Sequence, residues 1–92
     1  MAGTHVDFLD DATWDAEREA VSVTVVLARD GRPRHVRCVI AREALDALVR
    51  APGTLPPLRL FRDFEATLAK AAARRARADA DEIVLGRRDV RT

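Results

Sequence analysis

Between residues 21 and 40 the chain alternates apolar and polar side chains in two stretches. The apolar positions are Val21, Val23, Val25 and Leu27 in the first stretch, and Val36, Cys38 and Ile40 in the second. A period of two is the spacing of a β-strand with one buried face. Asp30-Gly31 lies between the stretches, and glycine adopts the positive φ of a tight turn at little cost. The pattern predicts a β-hairpin with Gly31 at a positive φ.

After residue 41 the apolar period changes to that of a helix. In AREALDALVR, residues 41–50, one helical face carries Ala44, Leu45, Leu48 and Val49. The following APGTLPP, residues 51–57, ends this helix because proline and glycine interrupt regular structure. A longer helix is predicted from about residue 58 to about residue 78, because its apolar residues fall within about 120° of arc. These residues are Leu60, Phe61, Phe64, Leu68, Ala71 and Ala72.

The two ends of the chain show only short apolar patterns. EIVL, residues 82–85, predicts a last strand that Gly86 bounds. HVDFL, residues 5–9, predicts a strand that leads through a turn at DDATWD, residues 10–15. The alternative is that Asp11 caps a helical turn running through Arg18. We favour the strand.

Together these elements predict an α+β fold of two layers. A small antiparallel β-sheet forms from the hairpin, the C-terminal strand and the favoured N-terminal strand, with two helices packed on one face. The 92 residues are 48% hydrophobic and carry a net charge of +1, which is typical of one globular domain spanning residues 1–92. The chain lacks the run of about 20 apolar residues that a membrane helix needs. One cysteine fits a reducing compartment, so we expect a cytoplasmic protein with no membrane partner.

Four stretches suggest a family. These are WDAEREAVSV, DGRPRHVRCVIAREAL, LFRDFEATLAKAA and EIVLGRRDV, with Gly31, Cys38 and Asp89 among their residues. They resemble the small bacterial proteins grouped as domain of unknown function family 1488. This sequence departs from the family pattern at position 41, where Ala41 stands in place of a capping Ser or Thr. It implies a two-layer fold with an antiparallel sheet and two helices on one face. It implies nothing about activity, because the function of that family is uncharacterised.

The residues that carry chemistry elsewhere are sparse in this chain. Cys38 is in phase with the buried face of its strand, where a thiol behaves as a small hydrophobic group. His35 is three positions away and points to the opposite face, so a Cys/His nucleophile pair is not expected. The two histidines and one cysteine have no metal-ligand spacing. We therefore expect no catalytic residues, no metal, no cofactor and no enzyme activity.

Arginine dominates the basic residues, with fifteen arginines against the single Lys70. Two candidate basic patches follow, one on the second helix (Arg59, Arg62, Lys70, Arg74 and Arg77) and one at the hairpin (Arg32, Arg34 and Arg37). Arg75 falls within the apolar stripe of the helix and is expected to lay its methylenes on the core. Solvated helix faces commonly carry such charge, so nucleic-acid binding is the alternative rather than the favoured function.

The second face of the predicted sheet is more apolar than a solvent-exposed face usually is. It would present Val26, Val39 and Val84, which form the candidate interface. Either the N-terminal segment, with Phe8, Leu9 and Trp14, folds across this face, or another chain covers it. We expect an interaction module that forms a homodimer or binds an unidentified protein partner.

Overall fold

The computed structural model describes residues 4–29, 31–50, 55–76 and 81–90. In chain order the elements are β1 (Thr4–Phe8), β2 (Thr13–Asp15), β3 (Ala20–Arg29), β4 (Arg32–Ala41), α1 (Arg42–Asp46), α2 (Pro57–Asp63), α3 (Glu65–Arg75), β5 (Glu82–Leu85) and α4 (Arg87–Val90). The strands form one sheet in the order β1-β3-β4-β5, with β2 also paired to β3. The predicted α+β fold is confirmed. None of the described helices is long and apolar enough to cross a membrane.

The hairpin of β3 and β4 is the centre of the sheet. The two strands pair antiparallel along their whole length, from Ala20 opposite Ala41 to Arg29 opposite Arg32. Gly31 has a φ of +75°, as predicted, and this left-handed conformation strains any residue with a Cβ. Asp30 lies outside the described residues. The turn chemistry read from the sequence therefore places the hairpin correctly.

The N-terminal segment is a strand rather than a helical turn, as favoured. β1 and β2 both pair antiparallel with the edge of β3 that faces away from β4. Phe8 lies opposite Val25 and Thr13 lies opposite Ser22, so residues 9–12 face only residues 23 and 24. This bulge interrupts the pairing and separates β1 from β2.

The C-terminal strand corrects the predicted sheet. β5 pairs with β4 in parallel, with Cys38 opposite Ile83 and Ile40 opposite Leu85. The sheet is therefore mixed rather than antiparallel. The chain passes through α1, α2 and α3 between β4 and β5. Such a crossover brings the chain back to the end of the sheet at which β4 begins, so that β5 can run in the same direction.

The long second helix is also corrected, because the structure divides it into α2 and α3. Phe64 separates them with φ −118° and ψ 26°, outside helical geometry. Neither proline nor glycine occurs near this break, so the sequence carries no signal for it. α3 ends at Arg75, and residues 77–80, which include the predicted end, lie outside the described residues.

One face of the sheet, called here the inner face, packs against the helices. Its side chains join one buried cluster with residues of α1, α2 and α3, and the largest fully buried members include Ile40, Leu45, Leu60, Leu68 and Ile83. Phe8 and Trp14 pack against this same cluster. The ring of Phe8 meets the ring of Phe61 edge to face, with centroids 5.0 Å apart. The N-terminal aromatic residues therefore pack on the inner face and do not fold across the opposite one.

Candidate functional site

The outer face of the sheet carries three rows of paired residues. The candidate interface residues lie in two of these rows. Val39 and Val84 are neighbours in one row, beside Ser22. Val26 lies in another row, four residues from Ser22 along β3. Since Ser22 is paired with Val39, the two valines are about 13 Å apart in the strand direction. The predicted patch is therefore not continuous: Val39 and Val84 are together, and Val26 is apart from them.

The row between them is polar and consists of Thr24, Arg37 and Glu82. Arg37 donates a hydrogen bond to the Ser22 hydroxyl at 3.3 Å and lies 4.0 Å from a carboxylate oxygen of Asp11. The sequence pattern places this arginine in the hairpin basic patch. On the outer face it is instead held among polar and acidic neighbours.

Val39 is buried, with only 4% of its surface exposed. Arg18, in the turn between β2 and β3, donates to both carboxylate oxygens of Glu82 at 3.3 and 3.4 Å. Because Glu82 lies on β5, the Arg18 side chain reaches past β4, the strand that carries Val39. Val39 is thus covered within its own chain, which corrects its place in the candidate interface.

Val84 remains as the exposed part of that interface. It is 45% exposed, and Leu9 at 40% is the other large hydrophobic residue exposed in the described part of the chain. β5 ends the sheet, and among the described residues it pairs only with β4. Val84 therefore combines an exposed apolar side chain with a strand edge that is open to a further strand.

Asp11 closes the bulge in the N-terminal segment. Its carboxylate accepts hydrogen bonds from the Thr24 backbone N–H, at 2.8 Å, and from the Thr24 hydroxyl. The Thr24 carbonyl accepts from the Leu9 N–H at 2.9 Å. The side chain of Asp11 thus replaces the strand partner that the bulge removes. The sequence alternative, in which Asp11 caps a helical turn, is wrong: Asp15 accepts from the turn amides of Glu17 and Arg18.

Replacing Asp11 with asparagine should lower the free energy of unfolding at neutral pH by about 1 kcal/mol, since the bonds are charge-assisted but half exposed. Hydrogen bonds from Thr24 lower the pKa of Asp11 below its ordinary 3.8. The folded state therefore favours the ionised carboxyl. Its stabilisation is complete above the ordinary pKa and disappears as the pH falls through the lowered one. Urea melts across this range should show the variant and the wild type converging in acid.

The exposed neighbour Asp10 provides the control for this prediction. Asp10→Asn makes the same change of charge next to the bulge and should shift stability by less than about 0.5 kcal/mol. Equal losses in the two variants would show that general charge, and not the bonds to Thr24, accounts for the effect.

Cys38 lies on the inner face and is fully buried. Burial raises the pKa of its thiol to about 12, and the charge of Glu82 acts in the same direction. His35 pairs with Val26 in the outer rows, so the sheet separates it from the thiol, as predicted. Among the described residues no three His, Cys, Asp or Glu side chains are grouped so that they could hold a metal ion.

The other arginines of the hairpin do not form one surface with Arg37. Arg32 and Arg34 alternate with it along β4 and belong to the side of the sheet that carries Val36. Arg29, opposite Arg32, donates to the Thr4 hydroxyl at 3.3 Å. The hairpin patch is therefore divided between the two faces.

The basic residues of the helical patch that the structure describes are exposed, but they are not all free of partners. The Nε atom of Arg59 lies 3.8 Å from a carboxylate oxygen of Asp63, one helical turn away. Arg62 and Lys70 are also exposed. Arg74 donates to the backbone carbonyl of Asp89 at 3.3 Å. Arg77 lies outside the described residues.

The expectation for Arg75 is wrong. Its side chain is 62% exposed and lies 3.9 Å from a carboxylate oxygen of Asp89. Arg75 is the last residue of α3, so it extends past the buried stripe instead of along it. Sequence reasoning missed the cluster of Arg74, Arg75 and Asp89, because α3 and α4 are brought together only by the return of the chain through β5.

A family model described as a protein of unknown function, DUF1488, matches residues 6–85. This match spans most of the chain, from β1 through β5. The chain belongs to the DUF1488 family. The resemblance predicted from the four sequence stretches is thereby confirmed.

A solved structure supports the fold of this DUF1488 chain. The chain is similar to a protein of unknown function from the DUF1488 family of Shewanella loihica PV-4, a crystal structure at 1.60 Å resolution, with a TM-score of 0.61 and 21% sequence identity. The similarity covers 90% of this chain and 93% of the other. At this level of identity it supports the fold alone. No match is found among curated proteins.

Proposed function

We propose that this DUF1488 chain is a non-catalytic interaction module that pairs with a second copy through the open edge of β5. The observation that carries the proposal is the position of Val84, 45% exposed on a terminal strand. The opposite edge of the sheet is less suited to pairing, because the bulge at residues 9–12 interrupts it, and bulges protect edges from added strands. β5 therefore offers the better edge.

Two-fold symmetry restricts how two β5 strands can pair. In an antiparallel pair, opposite residues share one face, so the symmetry axis must pass through a residue that faces its own copy. Centring the axis on Val84 sets the two Val84 side chains opposite each other, next to the two Val39 positions. On the inner face it sets Ile83 opposite Leu85 of the other copy.

Charge favours this register over its nearest alternative. Centring on Val84 sets Glu82 opposite Gly86 of the other copy, so the two carboxylates are apart. Centring on Ile83 would instead set the charged Glu82 opposite the apolar Val84. Opposite positions in antiparallel strands interact directly, and matched apolar pairs stabilise the sheet.

The paired segment has four residues, Glu82–Leu85, so the interface is small. Interfaces at the low end of the size range are weak and transient. We expect a dissociation constant of about 1–100 μM, which corresponds to roughly 5–8 kcal/mol of binding free energy.

Nucleic-acid binding has less support. The hairpin arginines are divided between two faces, and Arg37 is occupied by Ser22 and Asp11. The aromatic residues Phe8, Trp14, Phe61 and Phe64 pack in or against the core, so none of these described residues provides a base-stacking platform.

Val84→Lys tests the proposed edge. Lysine on an edge strand opposes pairing with another chain, so the variant should be monomeric at concentrations where the wild type forms a dimer. Because the side chain is exposed, the stability of the monomer should change by less than about 0.5 kcal/mol. Sedimentation velocity over a concentration series measures the association, and thermal melting measures the stability.

Leu9→Lys is the matched control, since Leu9 is exposed to nearly the same degree and follows β1 at the opposite edge of the sheet. This variant should dimerise like the wild type. A wild type that stays monomeric throughout the series would overturn the homodimer, and a Val84→Lys dimer of unchanged affinity would show that another surface is used.

A further inference from the structure

The end of α3 and the short helix α4 form a groove of about 250 Å³. Its lining residues are Ala71, Arg74, Arg75, Arg88 and Asp89. The two arginines of α3 meet Asp89, Arg74 at the backbone carbonyl and Arg75 at the carboxylate. Arg88 is the residue next to Asp89 along the chain. Three arginines from two helices therefore line one groove together with Asp89.

The charges lining this groove do not cancel. Three arginines and one aspartate leave a net charge of +2 on the described lining residues. The adjacent Arg87 differs, because it lines a separate groove with Glu43 and Asp46, where acidic groups offset it. The excess positive charge is thus confined to one side of α4.

The carboxylate of Asp89 is already engaged within the protein. One oxygen accepts the Gly86 N–H at 2.7 Å, and the other lies 3.9 Å from Arg75. These contacts hold the turn between β5 and α4 and leave Arg74 and Arg88 with little negative charge to offset them. Three like charges in one groove repel each other, and an anion bound among them would relieve that repulsion.

We propose that this groove binds the phosphate group of a phosphomonoester. A phosphomonoester carries a charge of about −1.5 to −2 at neutral pH, which matches the excess of +2. Guanidinium groups bind phosphate oxygens with paired, charge-assisted hydrogen bonds. A phosphodiester carries a single charge and would leave the groove positive, so the groove suits a terminal phosphate better than a nucleic-acid backbone. The proposal is independent of the β5 interface, which lies at Val84.

Inorganic phosphate is the probe for the first test, titrated into the isotope-labelled chain at constant ionic strength and slightly alkaline pH. The backbone amide signals of Ala71, Arg74 and Arg88 should shift and saturate with a dissociation constant of about 1 mM. The melting temperature should rise with phosphate concentration, because a ligand of the folded state stabilises it. Chloride at equal ionic strength should produce neither effect.

Arg74→Gln and Arg88→Gln identify the site. Each should weaken phosphate binding by about tenfold, because one charge-assisted contact is lost. Arg62→Gln, at an exposed arginine on α2, is the matched control and should bind as the wild type does. Amide spectra without phosphate establish that each variant is folded.

Three results would overturn the proposal. The first is that the wild-type amide shifts in phosphate match those in chloride, and the second is that the phosphate-induced shifts persist in both groove variants. The third is that a short DNA duplex binds more tightly than phosphate and depends on Arg74 and Arg88, which would assign the groove to a polynucleotide. Weaker binding of dimethyl phosphate than of inorganic phosphate would support the preference for a doubly charged group.

Discussion

Replacing Phe61 with alanine should lower the free energy of unfolding by about 3–5 kcal/mol, because it empties a large buried site. Phe61 is 2% exposed and its ring meets Phe8 of β1 edge to face. The loss should reduce the melting temperature by at least about 12 °C in a chain of this size. Chemical denaturation and calorimetry both measure it. This contact joins the N-terminal strand to α2, so the variant tests the placement of that strand.

Phe64→Ala is the control, because Phe64 is the same residue type at the break between α2 and α3 and is only partly buried. Its loss should be clearly smaller. A double-mutant cycle of Phe61→Ala with Phe8→Ala should give a coupling of about 0.5–1.5 kcal/mol. A Phe61→Ala loss below about 1 kcal/mol, or additive effects in the cycle, would contradict the packing of β1 on the inner face.

The thiol of Cys38 should react with an aromatic disulfide reagent at least about 1,000-fold more slowly in the folded chain than in the unfolded chain. Burial raises the pKa of the thiol from 9.0 to about 12, which reduces the reactive thiolate by about that factor at neutral pH. The side chain is also closed to solvent, at 0% exposure. Absorbance of the released thiolate measures the rate.

The same chain in concentrated guanidinium chloride provides the reference rate for Cys38. Partial denaturant should raise the rate in step with the unfolded fraction, because reaction then proceeds through unfolding. A folded-state rate within about tenfold of the unfolded rate would show that the strand exposes the thiol, and it would reopen a chemical role for Cys38.

The family and the α+β class were both available from the sequence. Alternation along β3 and β4, the glycine at position 31 and the helical period after residue 41 each depend on neighbours a few residues apart. The burial of Cys38 and its separation from His35 follow from the same alternation. These predictions hold in the structure because strand periodicity assigns each side chain to a face without reference to the rest of the chain.

The candidate surfaces depended on contacts that the sequence does not display. Val39 belongs by alternation to the outer face, yet it is only 4% exposed, and Arg18 reaches past its strand to bond Glu82, which is 64 residues further along the chain. Arg75 belongs by helical period to the buried stripe, yet α3 ends there and Asp89 pairs with it. Both departures depend on where helices end and distant segments meet, which the local pattern does not show.

What the sequence determined by itself was the class of β1, β3, β4, α1 and β5 and the face on which their residues lie, because φ, turn chemistry and apolar period are local properties. It did not show β2, which lies in the stretch predicted as a turn, or α4. Tertiary structure alone decided the parallel pairing of β5, the break at Phe64, the bulge closed by Asp11 and the meeting of Arg74 and Arg75 with Asp89. Those features arise when distant segments close onto one core. The free energy that selects them comes from burial and pairing across the whole chain, which no window of neighbouring residues contains.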